Sequence, residues 1–207
     1  KDYGFNINRY YGNYRFYIGD GTTSFSSSWA GAVVDTWQHL VMSYDGTDMK
    51  AYLNGVLKDT VAVPSISYSA SAQNLFRIGK SANSGLEFTG NIDEVSLFSS
   101  AKAIGDLWDG SGKPTDLTGQ SGLVSWWRMG EDATFSTNWT IPDKIGSNNG
   151  TSANMTNDDL TGDAPGVTGN GVSANMTIED RVGDAPDSSN NALSYNMDAA
   201  DIVEDTP

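Results

Sequence analysis

Aromatic side chains crowd the segment between residues 10 and 29 and are the clearest candidates for ligand chemistry. The set consists of Tyr10, Tyr11, Tyr14, Tyr17 and Trp29. Sugar rings stack well on aromatic faces, so the cluster favours carbohydrate binding. In an alternating strand about half of such rings point into a core. We take Tyr10, Tyr11 and Trp29 as the candidate carbohydrate-binding residues.

The residue types give little support to nucleophilic catalysis. His39 is the single histidine, and the chain has no cysteine. A disulfide framework and a cysteine-based zinc site are therefore excluded. The histidine follows Trp37 and Gln38 at a strand position, so we expect it to be structural rather than a general base.

The charge of the chain is strongly negative and unevenly distributed. The 207 residues contain 12 Lys and Arg against 26 Asp and Glu, a formal net charge of −14. Residues 130–207 carry −12 of it. Phosphate backbones and anionic headgroups repel such a chain, and it has no apolar run of about 18 residues. We therefore expect neither nucleic acid nor a membrane as a partner.

The elements that position the candidate residues are predicted to be strands. Apolar and polar side chains alternate from Tyr14 to Ile18, from Leu40 to Tyr44 and from Met49 to Leu53, each run ending at an Asp-Gly or Asn-Gly turn. Two further strands are predicted over residues 74–79 and 88–98. Residues 100–108 carry a short helical stripe. The pattern predicts an all-β fold, an antiparallel β-sandwich or jelly roll.

Four motifs in this order resemble successive strands of a laminin-G-like domain of the concanavalin A-like lectin/glucanase superfamily. They are WQHLVMSYDG from Trp37, MKAYLNG from Met49, FRIG from Phe76 and FTGNIDEV from Phe88. Their order and spacing make the resemblance fairly specific. It implies a concanavalin A-like sandwich.

The resemblance raises the question of glycosidase activity. Glucanases of this superfamily carry paired acids on alternate residues of one strand, so that both carboxylates face the sugar. Asp93 and Glu94 in the matching strand are adjacent and are expected to point to opposite faces. The pair Glu131 and Asp132 fails in the same way. We predict that the chain is not an enzyme.

The resemblance also implies a possible calcium site, because related domains often bind the ion through carboxylate and carbonyl oxygens at the rim. Asp45 and Asp48 in a hairpin, and Asn91 with Asp93 near a strand start, are the candidate ligands. An ordinary Asp-Gly turn, or a hydrogen bond from Asp93 to a neighbouring loop, would explain the same residues without a metal.

A tryptophan-rich segment stands at an unusual place in the chain. GLVSWWRMGE from Gly122 and DKIGSNNGT from Asp143 look like motifs that normally open the resembled domain, yet here they follow its last strand. A second domain could begin here. We favour a permuted sandwich in which residues 121–151 complete the sheet, or a strand donated to a neighbouring subunit, because these side chains are too apolar to stay exposed.

The acidic part of the chain repeats with a period of 21 residues. Met155, Met176 and Met197 mark three copies, and Pro165, Pro186 and Pro207 keep the same interval. Each copy is expected to form one extended strand and an acidic turn that needs stacking or a partner. The predicted division is a sandwich over residues 1–110, a linker and Trp-Trp strand over 111–146, and acidic repeats over 147–207.

These features favour a non-catalytic, lectin-like adhesion or structural module on a virion or extracellular surface. The arrangement is similar to that of bacteriophage fibre and capsid-decorating proteins, which implies a glycan or host surface receptor, other virion subunits and a homo-oligomer, with a trimer as one option. The alternative is a secreted polysaccharide-binding domain of a bacterial glycan-degrading enzyme, or a degenerate glucanase. Fold alone does not decide between them.

Overall fold

The computed structural model describes residues 3–64, 66, 76–80, 88–130, 133–152, 155, 160–161 and 171–173. In this part of the chain there are β-strands and one short 3-10 helix, with no α-helix, which confirms the predicted all-β class. The strands are β1 Tyr3–Tyr10, β2 Asn13–Asp20, β3 Ser24–Ala30, β4 Leu40–Tyr44, β5 Asp48–Leu53, β6 Val56–Ala62, β7 Asn91–Ile92, β8 Val95–Phe98, β9 Leu123–Trp127, β10 Thr134–Phe135, β11 Trp139–Ile141, β12 Gly150–Thr151, β13 Leu160–Thr161 and β14 Gly171–Ser173.

The chain forms two compact units that interleave along the sequence. Unit 1 comprises Lys1–Phe76 and Ser100–Thr115, and unit 2 comprises Arg77–Ser99 and Asp116–Pro207. Residues 77–99, which lie within the predicted sandwich of residues 1–110, cluster with the later residues because β8 pairs with β9.

Unit 1 is built from two antiparallel three-stranded sheets, β1-β2-β3 and β4-β5-β6. Alternate residues of the two central strands point inward, so that Phe16 of β2 and Met49 of β5 are fully buried in one core cluster. The other buried members of that core are Tyr14, Ile18, Ala51, Leu53 and Val63. The alternation read from the sequence is thus the inward face of a β-sandwich.

The turn between β5 and β6 shows why its residues are Asn54 and Gly55. Both have positive φ, 49° and 75°, as a two-residue hairpin requires. A side chain on Gly55 would come within 2.2 Å of the ring of Trp108. The indole of Trp108 therefore packs directly on the turn, and only glycine leaves room for it.

Unit 2 is organised around the tryptophan segment. Strand β9 pairs antiparallel with β8 of the same chain, with Val95 opposite Trp127. A second core cluster consists of the buried residues Trp127, Met129, Trp139 and Met155. Trp126, on the other face of β9, is also buried. The apolar side chains of this segment are therefore covered.

Three local predictions change in detail. Residues 100–108 contain a 3-10 helix at Ile104–Asp106 instead of a longer helical turn. Residues 76–79 are not a strand, and residues 74–75 lie outside the described residues. The strand expected over 88–98 is interrupted at Glu94, whose φ is 52°, and divides into β7 and β8.

The acidic repeats lie mostly outside the described residues. Of the second copy, Gly171–Ser173 forms β14, which pairs with β7 through Val172 and Ile92. The third copy falls wholly outside the described residues, so the three-copy strand repeat stays a prediction.

Within the described part of the chain, no helix has the length and apolar character needed to cross a bilayer.

Candidate functional site

The tip of the hairpin between β1 and β2 carries two exposed tyrosines. Tyr10 ends β1 opposite Asn13, and Tyr11 with Gly12 forms the two-residue turn. The side chain of Tyr10 is 58% exposed and that of Tyr11 is 89% exposed. Their ring centroids lie 4.5 Å apart at 79°, an edge-to-face arrangement. The two rings form an aromatic tip, the name used below for Tyr10 and Tyr11.

The backbone at the aromatic tip is unusual for a tyrosine. Tyr11 has a φ of 47° and Gly12 a φ of 77°, which matches the two left-handed positions of a tight hairpin. Asparagine or glycine usually fills the first of them, and a residue with a larger side chain costs about 1–3 kcal/mol there. Because the ring of Tyr11 is almost fully exposed, core packing does not repay that cost. The left-handed backbone conformation of Tyr11 therefore indicates that its side chain has a role at the protein surface.

A polar face adjoins the aromatic tip. Alternation places Asn6, Asn8 and Tyr10 of β1 on the face of the sheet opposite the core, and the register sets Asn8 opposite Arg15 of β2. The Asn8 side-chain amide donates to Asn6 Oδ1 at 2.7 Å. The guanidinium carbon of Arg15 lies 5.9 Å from the ring centroid of Tyr17.

Asn6, Asn8 and Arg15 of this outer face offer amide and guanidinium hydrogen-bonding groups next to the two rings of the aromatic tip. Tyr17 lies on the same face but is buried. The asparagines and Arg15 are not among the candidate binding residues predicted from the sequence. The sequence could have indicated them, because they alternate with the apolar residues of the same strands and so belong to the face opposite the core.

Trp29 does not join the aromatic tip. It lies on the core face of β3, opposite Tyr14, with its ring centroid 4.7 Å from that of Phe16. It packs against the buried core of unit 1. The structure thus brings Tyr10 and Tyr11 together and separates Trp29 from them, because successive residues of a strand face opposite sides.

Asp45 stabilises the hairpin between β4 and β5. Its Oδ1 accepts hydrogen bonds from the backbone N–H of Asp48 at 2.8 Å, and from the N–H and hydroxyl of Thr47 at 2.9 and 2.7 Å. These bonds, the one from Asp48 first, hold the pKa of Asp45 well below its usual value. Lys50 Nζ lies 3.5 Å from Oδ2. A carboxylate with one oxygen used by the turn and the other beside an ammonium group suits calcium poorly.

Asn91 and Asp93 stand at the other candidate metal position. The Oδ1 atom of Asn91 is buried and accepts no hydrogen bond within the described part of the chain. Asp93 Oδ1 accepts from the backbone N–H of Glu94 at 2.8 Å. No cluster of three His, Cys, Asp or Glu side chains suited to a metal occurs among the described residues. The free acceptor of Asn91 is the feature here that fits a cation.

Glu94 has both of its carboxylate oxygens engaged. The indole N–H of Trp126 donates to Oε2 at 2.6 Å, and Arg128 Nε donates to Oε1 at 3.2 Å. The guanidinium of Arg128 lies over the ring of Trp126 at 5.2 Å. Because Asp93 and Glu94 sit between two strands, the expectation that they alternate across one strand does not describe them. Glu94 instead fixes the end of β8 to β9.

His39 occupies a structural position. Its ring stacks on Trp108 with centroids 5.0 Å apart and an angle of 16°. Its backbone N–H donates to Asn54 Oδ1 at 2.8 Å. Burial lowers the pKa of His39, so the imidazole is neutral near pH 7.

Asp143 is a buried carboxylate that is not among the candidate site residues predicted from the sequence. Its Oδ1 accepts from the N–H groups of Trp126 at 3.0 Å and Ile145 at 3.1 Å, and Oδ2 accepts from Asn148 at 3.3 Å. A Cβ on Gly146 would lie 2.8 Å from Oδ2, so glycine is needed there. Burial raises the pKa of Asp143, but the hydrogen bonds outweigh it and hold the pKa at about 2. This arrangement ties the loop after β11 to β9.

Two three-stranded sheets with a buried core cluster between them define unit 1 as an antiparallel β-sandwich. Residues 2–103, just under half of the chain, match the family Laminin_G_3, the concanavalin A-like lectin/glucanases superfamily. The match spans β1 to β8 and ends before β9. No curated protein and no solved structure matches the chain. The comparison supports the laminin-G-like fold and a carbohydrate-binding type of module.

Proposed function

We propose that the chain is a non-catalytic, lectin-like module that binds glycan at the aromatic tip and the adjoining outer face. The observation that carries the proposal is the pair of exposed rings at Tyr10 and Tyr11, one of them held in a left-handed backbone conformation. An exposed aromatic pair offers a sugar ring two apolar surfaces. Asn6, Asn8 and Arg15 offer donors and acceptors for its hydroxyl groups.

Several contacts support a binding role over hydrolysis. Both oxygens of Glu94 accept hydrogen bonds from side chains of unit 2, so this carboxylate is committed to the fold. His39 is stacked on Trp108 and has a lowered pKa. Incubation with β-glucans is expected to release no reducing sugar. Hydrolysis that Glu94→Gln abolishes would establish an enzyme instead.

The biological setting is part of the same proposal. We place the module on a virion or extracellular surface, where it contacts a glycan or host receptor and assembles with further structural subunits. The support is the combination of a lectin-like sandwich with an acidic repeat at residues 147–207 that has few apolar residues of its own.

Calcium enters the proposal at Asn91 and Asp93. The buried and unpaired Oδ1 of Asn91 is the group that would hold the ion, with the carboxylate of Asp93 two residues along the chain as a second ligand. Asp45 and Asp48 are poorer ligands because their hairpin already uses Asp45 Oδ1.

A glycan array probed with and without calcium tests the binding proposal. The double variant Tyr10→Ala with Tyr11→Gly removes both rings while giving the turn the residue that its φ prefers. We expect wild type to bind a subset of glycans saturably and the double variant to lose at least tenfold in affinity.

Leu57→Ala is the matched control, because Leu57 is 49% exposed and lies in β6, on the other sheet of unit 1. It should bind like wild type. Absence of wild-type binding at millimolar glycan, or equal binding by the double variant, would overturn the proposal. A requirement for calcium that Asn91→Ala removes would support the metal site.

A further inference from the structure

Strand β1 lies at the edge of its sheet in the part of the chain that the structure describes. It pairs with β2 along all eight residues without a bulge, and within the described residues no strand lies on its other side. Natural edge strands are blocked by lysine, proline, a bulge or a covering segment, because their free N–H and C=O groups accept further strands. Between Tyr3 and Tyr10 there is neither lysine nor proline.

The same strand exposes apolar side chains on the core face of the sheet. Phe5 is 49% exposed and Ile7 is 41% exposed. The register sets them opposite the buried residues Ile18 and Phe16, so they extend the core beyond its covered margin. Phe76, 46% exposed, lies with its ring centroid 6.1 Å from that of Phe5. Phe5, Ile7 and Phe76 form what we call the edge patch, a group of exposed apolar side chains of the kind that marks interaction sites.

We propose that β1 pairs antiparallel with β1 of a second copy of the chain, with Asn6 opposite Asn6 on a twofold axis. In this register Phe5 of each copy lies opposite Ile7 of the other, because opposite residues of antiparallel strands share a face. The four apolar side chains then adjoin, and the two three-stranded sheets become one six-stranded sheet. Neighbouring registers lose these two contacts or set Phe5 opposite Arg9.

Charge favours the antiparallel arrangement. Arg9 carries the single charge of β1. In the proposed register Arg9 of one copy lies opposite Tyr3 of the other, so the two guanidinium groups are six residues apart, about 20 Å. That separation exceeds the screening length of about 8 Å at physiological salt. A parallel pair would set the two arginines side by side. The charge of β1 is therefore compatible with antiparallel pairing to a second copy and unfavourable to parallel pairing.

Light scattering on the full chain over a concentration series tests the partner. Wild type is expected to move from the monomer mass to twice that mass as its concentration rises. Ile7→Lys places a charge in the edge patch, as natural edges do, and should remain monomeric. Leu57→Lys, at a site of similar exposure on another strand, should dimerise like wild type.

Cysteine crosslinking tests the register and does not depend on the lysine variant folding well. The chain has no cysteine, so Asn6→Cys introduces one thiol per copy. On the axis the two Cα atoms would lie about 4.5–5.5 Å apart, within the range that a disulfide spans. Mild oxidation should give a crosslinked dimer for Asn6→Cys and little for Ser26→Cys, an exposed position on the same outer face.

Three results would overturn the proposal. They are a wild type that stays monomeric throughout, a dimer or trimer that Ile7→Lys leaves intact, and equal crosslinking of the two cysteine variants.

Discussion

A single carboxylate holds much of the loop that follows β11. Asp143 gathers N–H groups from Trp126, Ile145 and Asn148 and is itself only 7% exposed. Asn148 in turn donates from its side chain to Ser125 at 3.0 Å, and its carbonyl accepts from the indole of Trp127 at 2.8 Å. The loop and the strand are therefore bound through one network. Removal of its central charge should loosen both.

Asp143→Asn is predicted to destabilise the protein in a way that depends on pH. The pKa of Asp143 is about 2 in the folded chain against 3.8 for the free side chain. A lowered folded pKa contributes stability that is fully present above pH 3.8 and is lost as the pH falls through 2. The difference corresponds to roughly 2 kcal/mol. Urea unfolding should show a loss of that order at pH 6 and almost none near pH 2.

Asp109→Asn serves as the control for the Asp143 experiment. The carboxylate of Asp109 is solvent-exposed and bonds within its own turn, to Ser111 at 2.7 Å, so its change should be smaller. A constant destabilisation of Asp143→Asn at pH 6 and pH 2 would mean that packing, not the charge, holds the loop.

At the scale of elements, β9 is the strand on which unit 2 depends. Trp127 of β9 is 5% exposed and belongs to the second core, and its backbone pairs with Val95. Trp127→Ala should cost about 3–5 kcal/mol because it leaves a large cavity. Val124→Ala, at a 46% exposed position of the same strand, should change stability by less than about 0.5 kcal/mol. Denaturant midpoints of the two variants measure the difference, and similar midpoints would contradict this role for β9.

The sequence predicted elements better than it predicted contacts. The alternation of Tyr14, Phe16 and Ile18 determines which face of β2 is buried, because a strand has a fixed period. The same rule, applied to Trp29, would have separated it from Tyr10, once the hairpin register was known. That register depends on the turn at Tyr11 and Gly12, where a tyrosine takes a position more typical of asparagine.

Long-range contacts account for what the sequence did not reveal. Glu94 meets Trp126 and Arg128, which follow it by 32 and 34 residues, and a local pattern carries no information on that encounter. The positive φ of Glu94 also interrupts a strand that the sequence pattern predicted as continuous. Asp143 stood inside a motif of the resemblance, but its burial follows from the fold of unit 2. Local periodicity predicts the strands and which of their side chains are buried. The contacts of Glu94 and Asp143 depend on residues that are distant in sequence and meet only in the folded chain.

At the scale of the whole molecule, the negative charge and the packing divide the chain differently. The charge separates residues 1–129 from 130–207, since −12 of the −14 lies in the second part. The packing instead gives two units whose sequences interleave at residues 77–99 and 100–115. The acidity is therefore a property of the later sequence and not of one compact unit. We therefore expect stability to depend on the buried core of each unit and not on the distribution of charge.

Each unit has its own buried core, one around Phe16 and Met49 and the other around Trp127 and Trp139. We predict that a cavity in one core weakens mainly that unit. Phe16→Ala should raise amide hydrogen exchange in β2 and β5, and Trp139→Ala should raise it in β8 and β9, because exchange reports local opening free energy. Mass spectrometry of peptides from each unit measures both patterns in the same chain. Equal loss of protection in all four strands for either variant would show a single cooperative core. Separate patterns would show that interleaved segments of one chain build two structures with independent stability.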